Sequence, residues 1–466
     1  MDNFFTQFAD FVLTWRWLLL LALAGVFAAQ MAKIPAGQRR FTAAMTLYFF
    51  LVIVAYWILK PIKKALFIGH YKTHGGVYGF EPAQMELLAK ETNILTALVI
   101  ALALVWLRRR FTASGFGLAV ALLFAAGLAV FIPFAGTPSE GFVWGLYIFG
   151  DMFVSSMVAL FFATLHDSSS VADARRIYGQ VGIGGVLGGL VGSVAAGGLD
   201  QAVGVPGALG VSFALILCVA GIGWRISRKI PAQYVAPHSG GAETGYAGYN
   251  CHGLFKGART VLHSRPLLLI ASVLLLYEIA SVVIDYQFTA AVSRHVNTAD
   301  LKQYFGAVYT FSNAMALVVQ LLLTTWVIRR HSLKLALLVM PLAILLGEST
   351  YLLFPVLLTA SLLNTTDSAF AYSIQQTARE ALYVPLSRYE KYEAKAFIDI
   401  AWLRFSKGIA VVLSLGLSLL VPNGGEALLA GGVVLLALIW LILLLKTSPY
   451  PQSLCQDSRL HPAPIV

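Results

Sequence analysis

Two pairs of cations stand where cations are costly. Lys60 and Lys63, with Lys64 beside them, interrupt the apolar run FFLVIVAYWILKPIKKALF at 49–67, and Arg404 and Lys407 repeat the same spacing of three near the C-terminus. That spacing keeps both charges of a pair on one helix face. An ionisable group at mid-bilayer depth costs about 2.5–3.5 kcal/mol on insertion scales, so it faces a cavity or a partner. The chemistry these residues could do is anion coordination, with the lysines as point charges and the guanidinium as a bidentate clamp. The two cation faces could converge on one anion.

Carboxylates recur in the same apolar setting: Asp151, Glu278, Asp285, Glu348, Asp367 and Asp399, with Glu380 directly after Arg379. In a carrier, Asp151, Asp285 and Glu380 would hold the cations when no anion is bound, and Glu278 and Asp285 are the groups a proton could occupy. Snorkelling to the headgroups is the plainer reading of Lys60, Lys63 and Lys64. Against it, Pro61 predicts a helix break beside a cavity-lining position. Tyr56, Trp57 and Tyr286 are the candidate aromatic surfaces, with ordinary packing as the alternative.

Other chemistry is not supported. The acids and bases are not grouped as a nucleophile with its base, and no HExxH or Gly-x-Ser-x-Gly pattern occurs in a usable context, so an intramembrane enzyme is not expected. The Gly-rich stretch GQVGIGGVLGGLVGSVAAGG at 179–198 follows no strand and lies in an apolar run. Its glycines at 184, 188 and 192, and at 185 and 189, have the four-residue spacing of a membrane packing seam. Cys218, Cys251 and Cys455 have neither paired spacing nor a ligand set around them, and His238, Cys251 and His252 read as linker. No cofactor or metal is called for.

The elements that must position these side chains are membrane helices. Of 466 residues 58% are hydrophobic and only 12% charged, against roughly 25% charged in soluble domains. Uncharged stretches of about 20 residues recur along the chain, the length a hydrocarbon core requires. Runs such as LLLIASVLLLY do not alternate as barrel strands do. Expected spans are 42–60, 90–107, 113–134, 141–164, 179–199, 206–225, 266–291, 304–327, 333–353, 355–378, 394–421 and 426–445. The net charge of +11 comes in small clusters between these spans. With residues 33–40 in the cytoplasm, nearly all the clusters fall inside, as the positive-inside rule requires. Topology accounts for the charge, and nucleic acid is not an expected partner.

The polar stretch 226–265 divides the spans into six and six. The expected organisation is an N-terminal anchor or extra hydrophobic helix at 1–40, a six-helix half at 41–225, a cytoplasmic linker at 226–265, a second half at 266–446 and a tail at 447–466. This is an all-α polytopic protein in the parallel-repeat architecture of major facilitator transporters. The bilayer is its medium and a monomer is expected.

Four segments, AYWILKPIKKALF, LYIFGDMFVSSMVALFFATLHDSSSVADARRIYGQVGIGG, LLYEIASVVIDYQF and QQTAREALYVPLSRYEKYEAKAFIDIAWLRFSKG, resemble, in order and spacing, segments of the ATP/ADP translocase-type nucleotide transporters of plastids and intracellular bacteria. They look closer still to the bacterial major facilitator branch related to those carriers. The resemblance covers roughly residues 41–446 and implies exchange of nucleotides, ATP and ADP, or related anions, across a bacterial inner membrane. It puts the family's first-span lysine on Lys63 with another cation at Lys60, its fourth- and seventh-span glutamates on Asp151 and Asp285, its Lys-Glu pair on Arg379-Glu380, and the arginine and late lysine of its "GRLGKSG" motif on Arg404 and Lys407. The chain departs from the pattern in shortening both glutamates to aspartate, in Leu403, Phe405 and Ser406 around the late lysine, and in Pro61. The alternatives are a proton-coupled carrier of a different solute and a membrane sensor that keeps the fold without transporting.

Overall fold

A computed structural model describes residues 4–14, 25, 36–108, 110–111, 113–167, 171–229, 251–324, 333–375, 378–379, 382, 394, 397–421 and 424–446. Backbone N–H and C=O groups in hydrocarbon must be satisfied within their own segment, which leaves helix as the conformation of a long apolar run. The described elements are accordingly helices: α1 (Phe4–Thr14), α2 (Ala36–His74), α3 (Pro82–Arg108), α4 (Ala113–Phe131), α5 (Glu140–Asp167), α6 (Val171–Lys229), α7 (Cys251–His263), α8 (Arg265–His295), α9 (Leu301–Val318), α10 (Leu333–Leu353), α11 (Leu357–Phe370), α12 (Leu403–Leu420) and α13 (Gly425–Lys446). Among the described residues, eight helical stretches are long and apolar enough to cross a membrane. This is a multi-pass membrane protein. Over their described residues the twelve expected spans fall on helix to within a few residues at the ends.

The chain forms two compact units. One comprises Met1–Gly241 with Val296–Asn313, and the other Ala242–His295 with Ala314–Ile465. In the first, α2 packs along α6 and against α3 and α5, and α4 packs on α6 and α5. The α2/α6 approach is built on the glycine seam. A methyl carbon on Gly188 would stand 2.8 Å from the Phe50 carbonyl oxygen, and one on Gly192 would stand 2.7 Å from that of Val54. The start of α9 belongs to this unit, held by Lys302 on Asp200 at 2.8 Å and by Lys72 donating to the Val296 carbonyl at 2.6 Å. In the second unit α8 packs against α11, α12 and α13, and α10 against α11 and α13. Three π-helical turns, Val319–Thr324, Ala371–Gln375 and Ile398–Trp402, interrupt its helices.

One expectation changes. Pro61 does not break the first span: α2 runs unbroken through it from Ala36 to His74. Proline removes one helical N–H and crowds the carbonyl four residues back, but in an apolar medium an interrupted helix would expose further polar groups. The helix ends instead at Gly75, whose φ of 77° and N–H bond to the Tyr71 carbonyl at 2.9 Å make a left-handed cap. The expected spans 179–199 and 206–225 are the two helical segments of α6, divided by the non-helical backbone of Gly204, φ 67°, just before Pro206. Within the expected linker 226–265, α6 reaches Lys229 and α7 occupies Cys251–His263. Leu254, Ala258, Val261 and Leu262 recur there at helical spacing. The apolar stretch WLLLLALAGVFAAQMA lies outside the described residues except for Gly25.

Candidate functional site

The continuity of α2 puts the lysine cluster inside a helix rather than in an outer loop. Lys63 is 4% exposed. Its Nζ forms an ion pair with Asp151 Oδ1 on α5, donates to the Tyr147 carbonyl at 3.3 Å and lies 4.2 Å from the Tyr147 ring centroid. The second Asp151 oxygen accepts from Asn93 Nδ2 on α3 at 2.5 Å. Gly150 clears the way for the lysine stem: a methyl carbon there would meet Lys63 Cδ at 2.8 Å.

Lys64 does not snorkel. It is buried and pairs with Glu86 Oε1 at 3.1 Å, an oxygen that also accepts from the Tyr147 hydroxyl at 2.8 Å and has Lys90 at 3.9 Å. Tyr147 therefore joins the two pairs, its carbonyl and ring on Lys63 and its hydroxyl on the acid that holds Lys64. Lys60, half-buried, has its ammonium 4.3 Å from the Trp57 ring centroid and 4.6 Å from that of Tyr309. Both rings are buried, and a desolvated cation–π contact is worth about 2 kcal/mol.

In the second unit the arrangement is looser. Lys407 on α12 reaches Glu278 Oε2 on α8 at 3.6 Å, with the Lys407 side chain 51% exposed. Asp285, two turns along α8 from Glu278, accepts from Asn364 Nδ2 of α11 at 3.5 Å. One turn further along α11, Asp367 accepts from Ser281 Oγ at 2.8 Å. Trp402 anchors the start of α12 by donating from Nε1 to the Ala271 carbonyl at 2.7 Å. Arg379 and Arg404 are both half-buried. Glu380 lies outside the described residues.

Sequence reasoning places Lys63, Asp151, Glu278 and Lys407 on their spans and expects carboxylates to hold the cations, but it names neither the individual pairs nor the other residues that hold them. Glu86 precedes the expected second span and, four residues before Lys90, reads as a surface pair. Pro82 at the first position of α3 is the signal that the helix starts earlier. Asn93, Ser281 and Asn364 are polar residues inside apolar runs. Tyr147 is one turn before Asp151, on the same helix face. Chemically, both units contain an ammonium held by a carboxylate on a neighbouring helix, a pairing an incoming phosphate or carboxylate can replace by charge-assisted hydrogen bonds.

The fold defined by these helices is a polytopic bundle of the major facilitator type. The solved structures it resembles are transporters. A nucleoside transporter, NupG, has a TM-score of 0.56 at 12% identity, covering 87% of this chain and 100% of that one. A POT family transporter in complex with 5-aminolevulinic acid scores 0.59 at 11% identity, with 91% and 97% covered. A bacterial homologue of the human lysosomal transporter Spinster, inward-facing and unoccupied, scores 0.55 at 14% identity, with 86% and 96% covered. Neither a family model nor a curated protein sequence matches the chain.

Proposed function

We propose that this chain is a secondary transporter that exchanges nucleotides, ATP and ADP or related organic anions, by alternating access. The observation that carries the reading is the buried Lys63–Asp151 pair on α2 and α5. A permanently buried ion pair adds little to stability compared with apolar packing, because desolvation offsets the attraction. A pair that an anionic solute can open has a reason to be there. Lys60, Lys63, Arg379, Arg404 and Lys407 bind the anionic groups; Asp151, Glu278, Asp285 and Glu380 hold the cations in its absence. Solute and carboxylate compete for the same ammonium groups, so an emptied carrier re-forms its pairs before reorienting, which favours exchange over one-way flux. The resemblance of the four segments to nucleotide carriers, and the nucleoside transporter among the fold neighbours, support the solute class. This is a carrier and not an enzyme.

The test is counterflow in liposomes. Purified protein loaded with ADP inside should take up labelled ATP, and Lys63→Ala and Lys407→Ala should lower the initial rate at least tenfold. Absence of nucleotide binding and of counterflow, or full rates in both variants, would remove the reading. Uptake driven by an imposed pH gradient without counter-substrate would favour proton coupling instead, with Glu278 and Asp285 carrying the proton.

A further inference from the structure

The most deeply buried carboxylate of the described residues takes no part in any of these pairs. Glu348, in the C-terminal half of α10, is 0% exposed, and neither of its oxygens accepts a hydrogen bond. Its polar neighbour is the side chain of Gln287 on α8, close to it but short of hydrogen-bond geometry. Gln287 is also 0% exposed, with neither its oxygen nor its nitrogen bonded. Two buried, unbonded polar side chains thus face each other across α10 and α8.

The charges around them do not compensate an anion at this position. Asp367 of α11 is near enough to repel it. Tyr351, one turn along α10, stands among Glu348, Tyr286, Glu426 and Arg294, and the Arg294 guanidinium is already engaged by Glu426 of α13 at 2.6 Å. An unpaired carboxylate in such a setting is costly, because nothing replaces the water it has lost. A carboxyl group that keeps its proton is not. A carboxylic acid and a primary amide are complementary: the acid O–H donates to the amide oxygen and the amide N–H₂ donates to the acid carbonyl, so both side chains are satisfied at once.

We propose that Glu348 is a proton-binding site of the second unit: it carries a proton opposite Gln287 while α10 is closed against its neighbours, and passes it to water when that packing opens. A proton suits the site because, once bound to the acid, it lets Glu348 and Gln287 satisfy each other with no further oxygen ligands. Glu348 is distinct from Glu278 and Asp285, the groups a proton-coupled reading of the sequence selects. What the proton is used for rests on the carrier reading; its presence does not.

Infrared difference spectroscopy of the full chain reconstituted in lipid, titrated from neutral to alkaline pH, tests the assignment without any substrate, so its failure is distinct from a failure of counterflow. The expected result is the carbonyl stretch of a protonated carboxyl at neutral pH that is lost in Glu348→Gln. In Gln287→Leu, which keeps the acid and removes its partner, the band should stay but move to higher frequency. Should Glu348→Gln fail to fold, Gln287→Leu alone decides: a shifted band supports the site and an unshifted one overturns it. A wild-type band unaltered by a folded Glu348→Gln, or a thermal stabilisation by NaCl over choline chloride that Glu348→Gln abolishes, overturns it as well, the latter in favour of sodium.

Discussion

Lys63 and Lys407 are both lysines facing a carboxylate, yet their removal should cost very different amounts. Lys63 is buried and its partner Asp151 has a side chain 29% exposed, so Lys63→Ala strands a largely desolvated carboxylate. Breaking a buried pair from one side costs about 3–5 kcal/mol, and the partial exposure of Asp151 puts the expected loss near the lower end. Lys407, half in solvent at 3.6 Å from Glu278, belongs with surface pairs worth about 0–1 kcal/mol. Chemical denaturation in detergent should therefore separate Lys63→Ala clearly from Lys407→Ala, although both are expected to slow counterflow. Adding Asp151→Asn to Lys63→Ala should recover stability, because no charge is left unpaired; a double variant no more stable than Lys63→Ala would refute that explanation. Asn93→Leu removes the donor to the second Asp151 oxygen, and about 1.5–3 kcal/mol is expected for a hydrogen bond to a charged group.

At the scale of elements, the α2/α6 contact depends on residues with no side chain. A methyl on Gly188 meets backbone oxygen and the Ile53 Cβ, whereas one on Gly210, beyond the kink at Gly204, meets nothing within 4 Å. Gly188→Ala should lower the melting temperature, at a cost of about 1–3 kcal/mol for overpacking. Gly210→Ala should leave it unchanged or raise it, since alanine is favoured over glycine in a helix by roughly 0.5–1 kcal/mol. If both behave alike, the seam does not depend on close approach. The four-residue glycine spacing was legible in the sequence, but the identity of the opposing helix was not. The continuity of α2 through Pro61 was also hidden, because the local rule for proline is written for helices whose broken ends can reach water.

At the scale of the whole molecule, the charge clusters predict the sidedness of the loops. In a background lacking Cys218, Cys251 and Cys455, a cysteine at Thr137, between α4 and α5, should react with a membrane-impermeant thiol reagent in intact cells. One at Arg110, between α3 and α4, should react only after permeabilisation; the reverse pattern would invert the topology. A nucleotide that binds the folded protein should stabilise it by about 2.7 kcal/mol at a hundred times its Kd, and a melting-temperature screen over nucleotides and other phosphorylated metabolites would rank the solutes.

The amino-acid sequence by itself determined that the chain is an all-helical membrane protein, roughly where its spans lie and which helix faces bear paired cations. Those properties are local: a bilayer demands some twenty apolar residues in a row and a helix repeats every 3.6, so both can be read along the chain. Only the tertiary structure decided which acid meets which base. Lys63 and Asp151 are 88 residues apart, Lys407 meets Glu278 and not Asp285, Lys64 is held by a Glu86 that seemed to lie outside any span, and Glu348 is shut in with Gln287. Partner choice depends on which helix packs beside which and at what rotation, and no local pattern encodes that.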